Sequence, residues 1–182
     1  MKFIDHAIKE HIKILNLQNR EIKKKISQIS SLIILAIKNK KKILVAGNGG
    51  SAADAQHLST ELTVRLKYNR DALPCIALTT DTSALTAIGN DFNFQKIFSR
   101  QIEAIGQNDD IFIAISTSGN SKNIINALKI AKKKKLFCIG LLGNKGGKAL
   151  NYCDESFVVK SSDPSRVQEI HIIFYQLFCA VI

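Results

Sequence analysis

His57 and Glu61 lie four positions apart in the run GNGGSAADAQHLSTEL, Gly47 to Leu62. On a helix that spacing puts an imidazole and a carboxylate on one face, a pair suited to holding a metal ion or moving a proton. A short apolar stretch, KKILVA, leads into the glycine-rich turn ahead of them, and Ser51 with Asp54 three residues on reads as a capping box that starts the helix. Open backbone N–H groups then face the turn, and the positive end of the helix favours an anion there. This arrangement suits a phosphorylated substrate beside a metal ligand or general base.

Two plainer readings compete for the same residues. GNGGSA, Gly47 to Ala52, fits the G-x-G-x-x-A form of a dinucleotide fingerprint, which needs an acidic residue about 20 positions on, at the end of a second strand. Asp71 has nearly that distance but precedes Pro74 and the next apolar run, so a nicotinamide or flavin site is not indicated. The other reading is wholly structural. Glu61 would bridge to Arg65 at i,i+4, and His57 would be a satisfied core histidine. This segment alone leaves the structural reading open.

A second cluster is STSGNS, Ser116 to Ser121, directly after the apolar run IFIAI. Ser116, Thr117, Ser118 and Ser121 bring four hydroxyls to a strand-to-helix turn, and Ser121 is suited to cap the helix that follows. Hydroxyl donors, open N–H groups and a positive helix end form a cradle for one small anion. The Gly-Lys-Ser/Thr ending of a nucleotide-binding loop is missing, which points to a monophosphate instead of triphosphate hydrolysis. A polar turn that merely caps its own helix accounts for the segment equally well. A third segment, TTDTSALTAIGND, contributes Asp81, Thr82, Asn90 and Asp91 after another apolar run.

These segments need a scaffold, and the hydrophobic pattern supplies one. From Phe3 to about Asn39 the spacing is helical, with Ile4, Ile8, Ile12 and Leu15 on one stripe and Ile22, Ile26 and Ile29 on another, which reads as two helices. Apolar runs at 43–46, 75–78, 111–115, 136–142 and 156–159 then alternate with helical patterns. That alternation predicts an α/β fold, a parallel sheet covered by helices on both faces. Ligands in such sheets bind beyond the carboxyl ends of the strands, where the three polar segments fall. A final helix is expected from about Pro164 to Ile182, with Val167, Ile170, Phe174, Leu177 and Phe178 at helical spacing. The whole of 1–182 reads as a single domain, helices over 1–39 and sheet core over 40–182.

A chain of 182 residues can bury a substantial core without disulfides or structural metal. Cys75, Cys138, Cys153 and Cys179 show no C-x-x-C spacing, and they fit a reducing cytosol better than a disulfide framework. No stretch approaches the roughly 20 apolar residues that span a bilayer, and the N-terminal stretch lacks an apolar signal core, so a soluble cytoplasmic protein without membrane partners is expected. The net charge of +11 invites a nucleic-acid reading. The lysines fall instead in short tracts, Lys23 to Lys25, Lys40 to Lys42 and Lys132 to Lys135, with no interleaved aromatic residues to stack bases. They read as solvated helix faces and favourable partners of helix C-termini, not as a nucleic-acid surface.

In order and spacing, GNGGSAADAQH, ALTTDTSALTAIGND, FSRQIEAIG, ISTSGNS and RVQEIH closely resemble the bacterial phosphoheptose isomerases of the sugar isomerase (SIS) superfamily. The resemblance covers nearly the whole chain and implies a five-stranded parallel sheet in an α/β/α sandwich, with the N-terminal helices building a homotetramer. It implies conversion of sedoheptulose 7-phosphate to D-glycero-D-manno-heptose 7-phosphate, on the route to the ADP-heptose of lipopolysaccharide core. By the same resemblance Asn48, Gly49, Gly50, Ser51, Asn90 and Asp91 would contact substrate, as would Glu61 and Gln168, while Ser116, Thr117, Ser118 and Ser121 would hold the phosphate. His57, Glu61 and Gln168 would match zinc ligands, with Glu61 also matching the catalytic base. An aldose–ketose isomerisation passes a proton between C1 and C2 through an enediol, so a carboxylate base and charge stabilisation at the oxyanion suit it.

One position departs from the pattern. Where the family has a histidine as fourth zinc ligand and acid/base partner, eight residues after the glutamine, this chain has Gln176. An amide does not titrate near neutral pH and is a poorer zinc ligand than imidazole. His171 cannot simply replace it, because five residues of helix turn about 500°, some 140° off the Gln176 face. The replacement also resembles the paralogous DnaA initiator-associating proteins, non-catalytic adapters of the same fold, which implies DnaA as an alternative partner. Those adapters tend to lose the helix glutamate, whereas Glu61 is present here.

Overall fold

The computed structural model describes residues 1–182. Five strands, β1 (Ile43–Ala46), β2 (Cys75–Ala77), β3 (Ile111–Ser116), β4 (Phe137–Gly143) and β5 (Glu155–Val159), form one parallel sheet in the order β2-β1-β3-β4-β5. Every residue of β1 and β3 is buried, which explains why both read as unbroken apolar runs instead of alternating ones. The strand order reverses between β1 and β3. At that switch point the loops leaving neighbouring strands diverge and open a crevice beyond the sheet.

Helices α1 (Lys2–Lys38), α2 (Gly50–Thr63) and α6 (Pro164–Val181) cover one face, while α4 (Ser99–Ile105) and α5 (Lys122–Lys133) cover the other; α3 (Thr82–Asp91) buries none of its residues. The first face is centred on Ile29, Ile33, Val45, Leu58, Phe157, Phe174 and Tyr175. Phe157 of β5 stacks on Phe174 at 4.1 Å between ring centroids, and Phe178 meets Phe174 edge-on at 5.9 Å. Truncating a buried aromatic such as Phe174 to Ala typically costs about 3–5 kcal/mol. The N1 proline of α6 is joined by a cap, since Asp163 accepts a hydrogen bond from Ser165 N at 2.8 Å.

The N-terminal segment corrects the sequence reading. It is one 37-residue helix, not two, about 55 Å long. Ile22, Ile29 and Ile33 are buried against the core, whereas Phe3, Ile4, Ile8 and Ile12 remain exposed. The two stripes are thus one helix whose surroundings change partway along it. Gln18 marks the change: buried, it donates to Val158 O and accepts from Lys160 N, both at 2.9 Å, satisfying the open edge of β5 as another strand would. No helix is long and apolar enough to cross a membrane.

Candidate active site

The turn after β1 begins α2 earlier than the capping-box reading predicts. Gly49 is the N-cap with φ 56°, a conformation that favours glycine, and no side chain caps the helix. Ser51 therefore lies buried in the first turn, its N–H donated to Asn48 O at 3.0 Å, and Asp54 lies buried one turn further on. The i,i+3 spacing placed them on a common inward face. Asn48 exchanges two amide hydrogen bonds with Asn123 of α5, at 2.9 and 2.7 Å. This reciprocal pair ties the loop after β1 to the helix after β3 across the switch point.

The loop after β3 folds on itself. Ser116 Oγ lies 3.2 Å from Ser121 Oγ and accepts from Gly119 N at 3.2 Å, and Ser118 Oγ accepts from Asn120 N at 3.1 Å. Ser121 holds the N-cap position of α5 as expected, yet its hydroxyl makes no capping bond. Ile124 N donates to Asn123 Oδ1 at 3.0 Å, and the remaining first-turn N–H groups of α5 are left to whatever sits in the loop, along with the positive end of the helix. Gly119, at φ 64°, could not become alanine, because a Cβ there would stand 1.9 Å from Gly146 O. The glycines at 119 and 147 let two loops pass in contact and hold the hydroxyls in place.

The second half of the site lies between α2 and α6. His57 Nε2 approaches Glu61 Oε1 at 2.9 Å, and the Gln176 amide nitrogen reaches both, at 2.9 and 3.1 Å. Glu61 makes no ion pair with Arg65 and His57 is not a core residue, so the structural reading of this pair is set aside. The Glu61 side chain is 14% exposed and that of His57 48%: the carboxylate is sheltered while the cluster opens to a ligand. Arg70 donates to the carbonyls of Glu61 and Leu62 at 2.9 and 2.8 Å, fixing the last turn of α2. Gln168, two turns before Gln176, packs on the α2 N-terminus, where a Cβ on Gly50 would meet its Oε1 at 2.7 Å. Gly50 is thus needed for α6 to approach.

Two residues that sequence reasoning missed complete this cluster. The Tyr175 hydroxyl sits 3.0 Å from His57 Nδ1, with the two rings edge to face. One turn before His57 on α2, the buried Asp54 carboxyl has an Oδ2 with no hydrogen-bond partner. Burial pushes Asp54 up to about 6, partly offset by His57 and the Tyr175 hydroxyl, and burial likewise raises the Tyr175 phenol. The Asp54–His57 spacing of three was visible in the sequence; nothing local marked Tyr175, which resembles any core aromatic.

His171 turns away as its helical angle requires. It is fully buried, its Nε2–H donated to Leu142 O at 3.1 Å, and burial lowers it to about 4. Asn90 and Asp91 hydrogen-bond each other at the exposed end of α3, and neither is a hydrogen-bond partner of the His57 or Glu61 side chain.

The donor set bears on zinc. No group of three or more His, Cys, Asp or Glu side chains is placed to hold a metal ion, and position 176 supplies only an amide. Yet Gln176, donating to both neighbours, leaves a nitrogen and an oxygen lone pair facing each other at 2.9 Å. That contact is attractive only with a cation, a proton or a metal, between them. A half-turn of the Gln176 amide would present its oxygen instead. The residues fit zinc through two conventional donors, His57 and Glu61, with amides as weaker additions.

The SIS domain model matches residues 8–143. The phosphoheptose isomerase of Nitratiruptor sp. is 47% identical over 182 residues, covering 100% of this chain and 97% of that one. That of Aliarcobacter butzleri is 53% identical over 157 residues, covering 86% and 83%. Among solved structures, the phosphoheptose isomerase of Neisseria gonorrhoeae superposes with a TM-score of 0.93 at 38% identity, covering 99% of this chain and 96% of that one. With the switch-point cradle and the His57–Glu61 cluster both in place, the chain belongs to the phosphoheptose isomerases of the SIS-domain family.

Proposed function

We propose that the protein interconverts sedoheptulose 7-phosphate and D-glycero-D-manno-heptose 7-phosphate through an enediol, with Glu61 as the base. The observation that carries this reading is the sheltered Glu61 carboxylate, held against His57 and Gln176, in a chain whose β1 loop is tied to the first turn of α5 through Asn48 and Asn123. Ser116, Thr117, Ser118, Ser121 and the α5 N-terminus bind the phosphate, and Asn48, Gly49 and Gly50 line the sugar's path toward Gln168. Anchoring the phosphate end holds C1 and C2 near Glu61, converting binding energy into position. Glu61 then takes the proton from one carbon and returns it to the other, while Gln176, an amide held against His57 and Glu61, transfers no proton.

Zinc, held by His57 and Glu61 with the amides of Gln168 and Gln176, would polarise the carbonyl oxygen when bound. The exposed Phe3, Ile4, Ile8 and Ile12 of α1 support assembly through the N-terminal helix, with a homotetramer as the expected state. Exposed Asn90 and Asp91 would then serve the site of a neighbouring subunit. A cytoplasmic location is the expected one, supported by the lack of any helix long and apolar enough to cross a membrane. A DnaA-binding adapter is favoured by Gln176 alone, and retention of Glu61 in contact with His57 weighs against it.

The test is conversion of sedoheptulose 7-phosphate by zinc-supplemented protein, followed by NMR beside unphosphorylated sedoheptulose. The phosphorylated sugar should be converted and the unphosphorylated one left nearly untouched. Failure to convert the phosphate ester, by protein that is folded and tetrameric, would sink the proposal.

A further inference from the structure

Glu61 lies in the last turn of α2, which ends at Thr63 without the usual devices for stopping a helix. Val64 at the C-cap has φ −94°, not the left-handed conformation of a glycine cap, and no residue of the last turn is basic. Val64 N reaches Thr60 O at 2.9 Å and Leu73 N reaches Leu62 O at 3.2 Å, but no backbone N–H comes to the carbonyl of Glu61. A final turn with an orphan carbonyl is prone to fray, and here the turn carries the base.

Arg70 closes the gap from outside the helix. Its Nη2–H donates to Glu61 O at 2.9 Å and its Nη1–H to Leu62 O at 2.8 Å, with a further bond from Nη1 to Asp71 O at 3.0 Å. All three acceptors are carbonyls, and no carboxylate forms an ion pair with Arg70. The guanidinium charge is therefore left to the negative end of α2. The Glu61 side chain is held separately, by the Gln176 amide at 3.1 Å, so the residue is fixed at its backbone by Arg70 and at its carboxylate by α6.

We propose that Arg70 is a positioning residue for the proton transfer: its two-pronged grip on the Glu61 and Leu62 carbonyls keeps the last turn of α2 wound and the carboxylate aimed at the sugar. The consequence for turnover rests on the proposed isomerase site, whereas the grip is independent of it. A planar guanidinium presents paired donors to two carbonyls in a fixed fork, which the single ammonium of lysine does not reproduce. Arg70→Met therefore loses both grip and charge, and Arg70→Lys keeps the charge alone. The phosphate cradle lies on other elements, so loss of the grip should act on kcat and spare KM.

Amide hydrogen exchange in the last turn of α2 reads the grip without reference to turnover. It should quicken about tenfold or more in Arg70→Met and less in Arg70→Lys. With sedoheptulose 7-phosphate, Arg70→Met should lower kcat about tenfold to a hundredfold, with KM within about twofold of wild type. Arg70→Lys should fall between the two, and millimolar guanidinium chloride should restore part of the Arg70→Met rate where sodium chloride at equal ionic strength does not. Should Arg70→Met fail to fold, Arg70→Lys carries the same comparison. Unchanged exchange in a folded variant, or a loosened turn with wild-type kcat, would overturn the proposal, because a purely structural anchor would lower stability and leave turnover alone. A last turn loosened as expected, in a protein whose wild type has no turnover, would leave the grip intact and refute the isomerase reading.

Discussion

The side-chain hydrogen bonds within the Ser116–Ser121 turn join residues two to five positions apart, and the one that ties it to the loop after β4 spans 28, whereas those joining His57 and Glu61 to α6 span 115 to 119. The phosphate cradle is therefore a local object. Its hydroxyls, glycine and helix start come from one stretch of chain, backed by the loop after β4, where Ala149 N donates to Gly119 O and Lys148 N to Asn120 Oδ1. The proton-transfer cluster exists only when α2 and α6 pack together. What holds the substrate can persist while what converts it is altered, and a single residue of α6, Gln176, carries such an alteration.

Glu61→Gln should give the largest separation between the two regions. It removes the base but leaves the cradle, so kcat should fall about a thousandfold with KM little changed in steady-state assays. A comparable rise in KM would show that the regions are not separable.

His171 tests the strut between them, because it links α6 to Leu142 near the end of β4. Its folded value of about 4 lies below its ordinary 6.5. Unfolded chains therefore take up a proton as pH falls below about 6.5 while folded ones stay neutral until about 4. The stabilisation is complete above 6.5 and lost progressively down to 4, by up to about 3 kcal/mol. His171→Gln keeps an N–H donor without titrating, so denaturant melts of the variant across this window should show a flatter dependence on pH than wild type.

Gln176→His should strengthen zinc binding by about tenfold to a hundredfold, measured by competition with a chromogenic chelator, since imidazole replaces a neutral amide. Equal affinities would mean that His57 and Glu61 alone set metal binding. The smallest effect belongs to the cradle. Ser121→Ala removes one hydroxyl of several and should raise KM by about tenfold or less, with kcat nearly constant.

The sequence was most legible where structure is local. The five apolar runs became the five strands within a residue or so of their ends, because buried parallel strands carry continuous apolar sequence. STSGNS and GNGGS fell at the carboxyl ends of β3 and β1, and the reversal of strand order there follows from topology. The single long α1 was not legible as such, since an unbroken helix changes its apolar stripe when its neighbours change. Ser51 and Asp54 misled for a related reason: an i,i+3 pair of polar residues looks the same as a cap or as two groups on a buried face. Tyr175 was invisible because its partner, His57, lies 118 positions away in the chain.

The most direct test of Glu61 as the base is solvent exchange. Sedoheptulose 7-phosphate incubated in D₂O with the wild-type protein should acquire deuterium at C1, followed by NMR, and Glu61→Gln should slow that exchange at least about a hundredfold. Exchange by Glu61→Gln at the wild-type rate would contradict the account and move the base to another residue of the site.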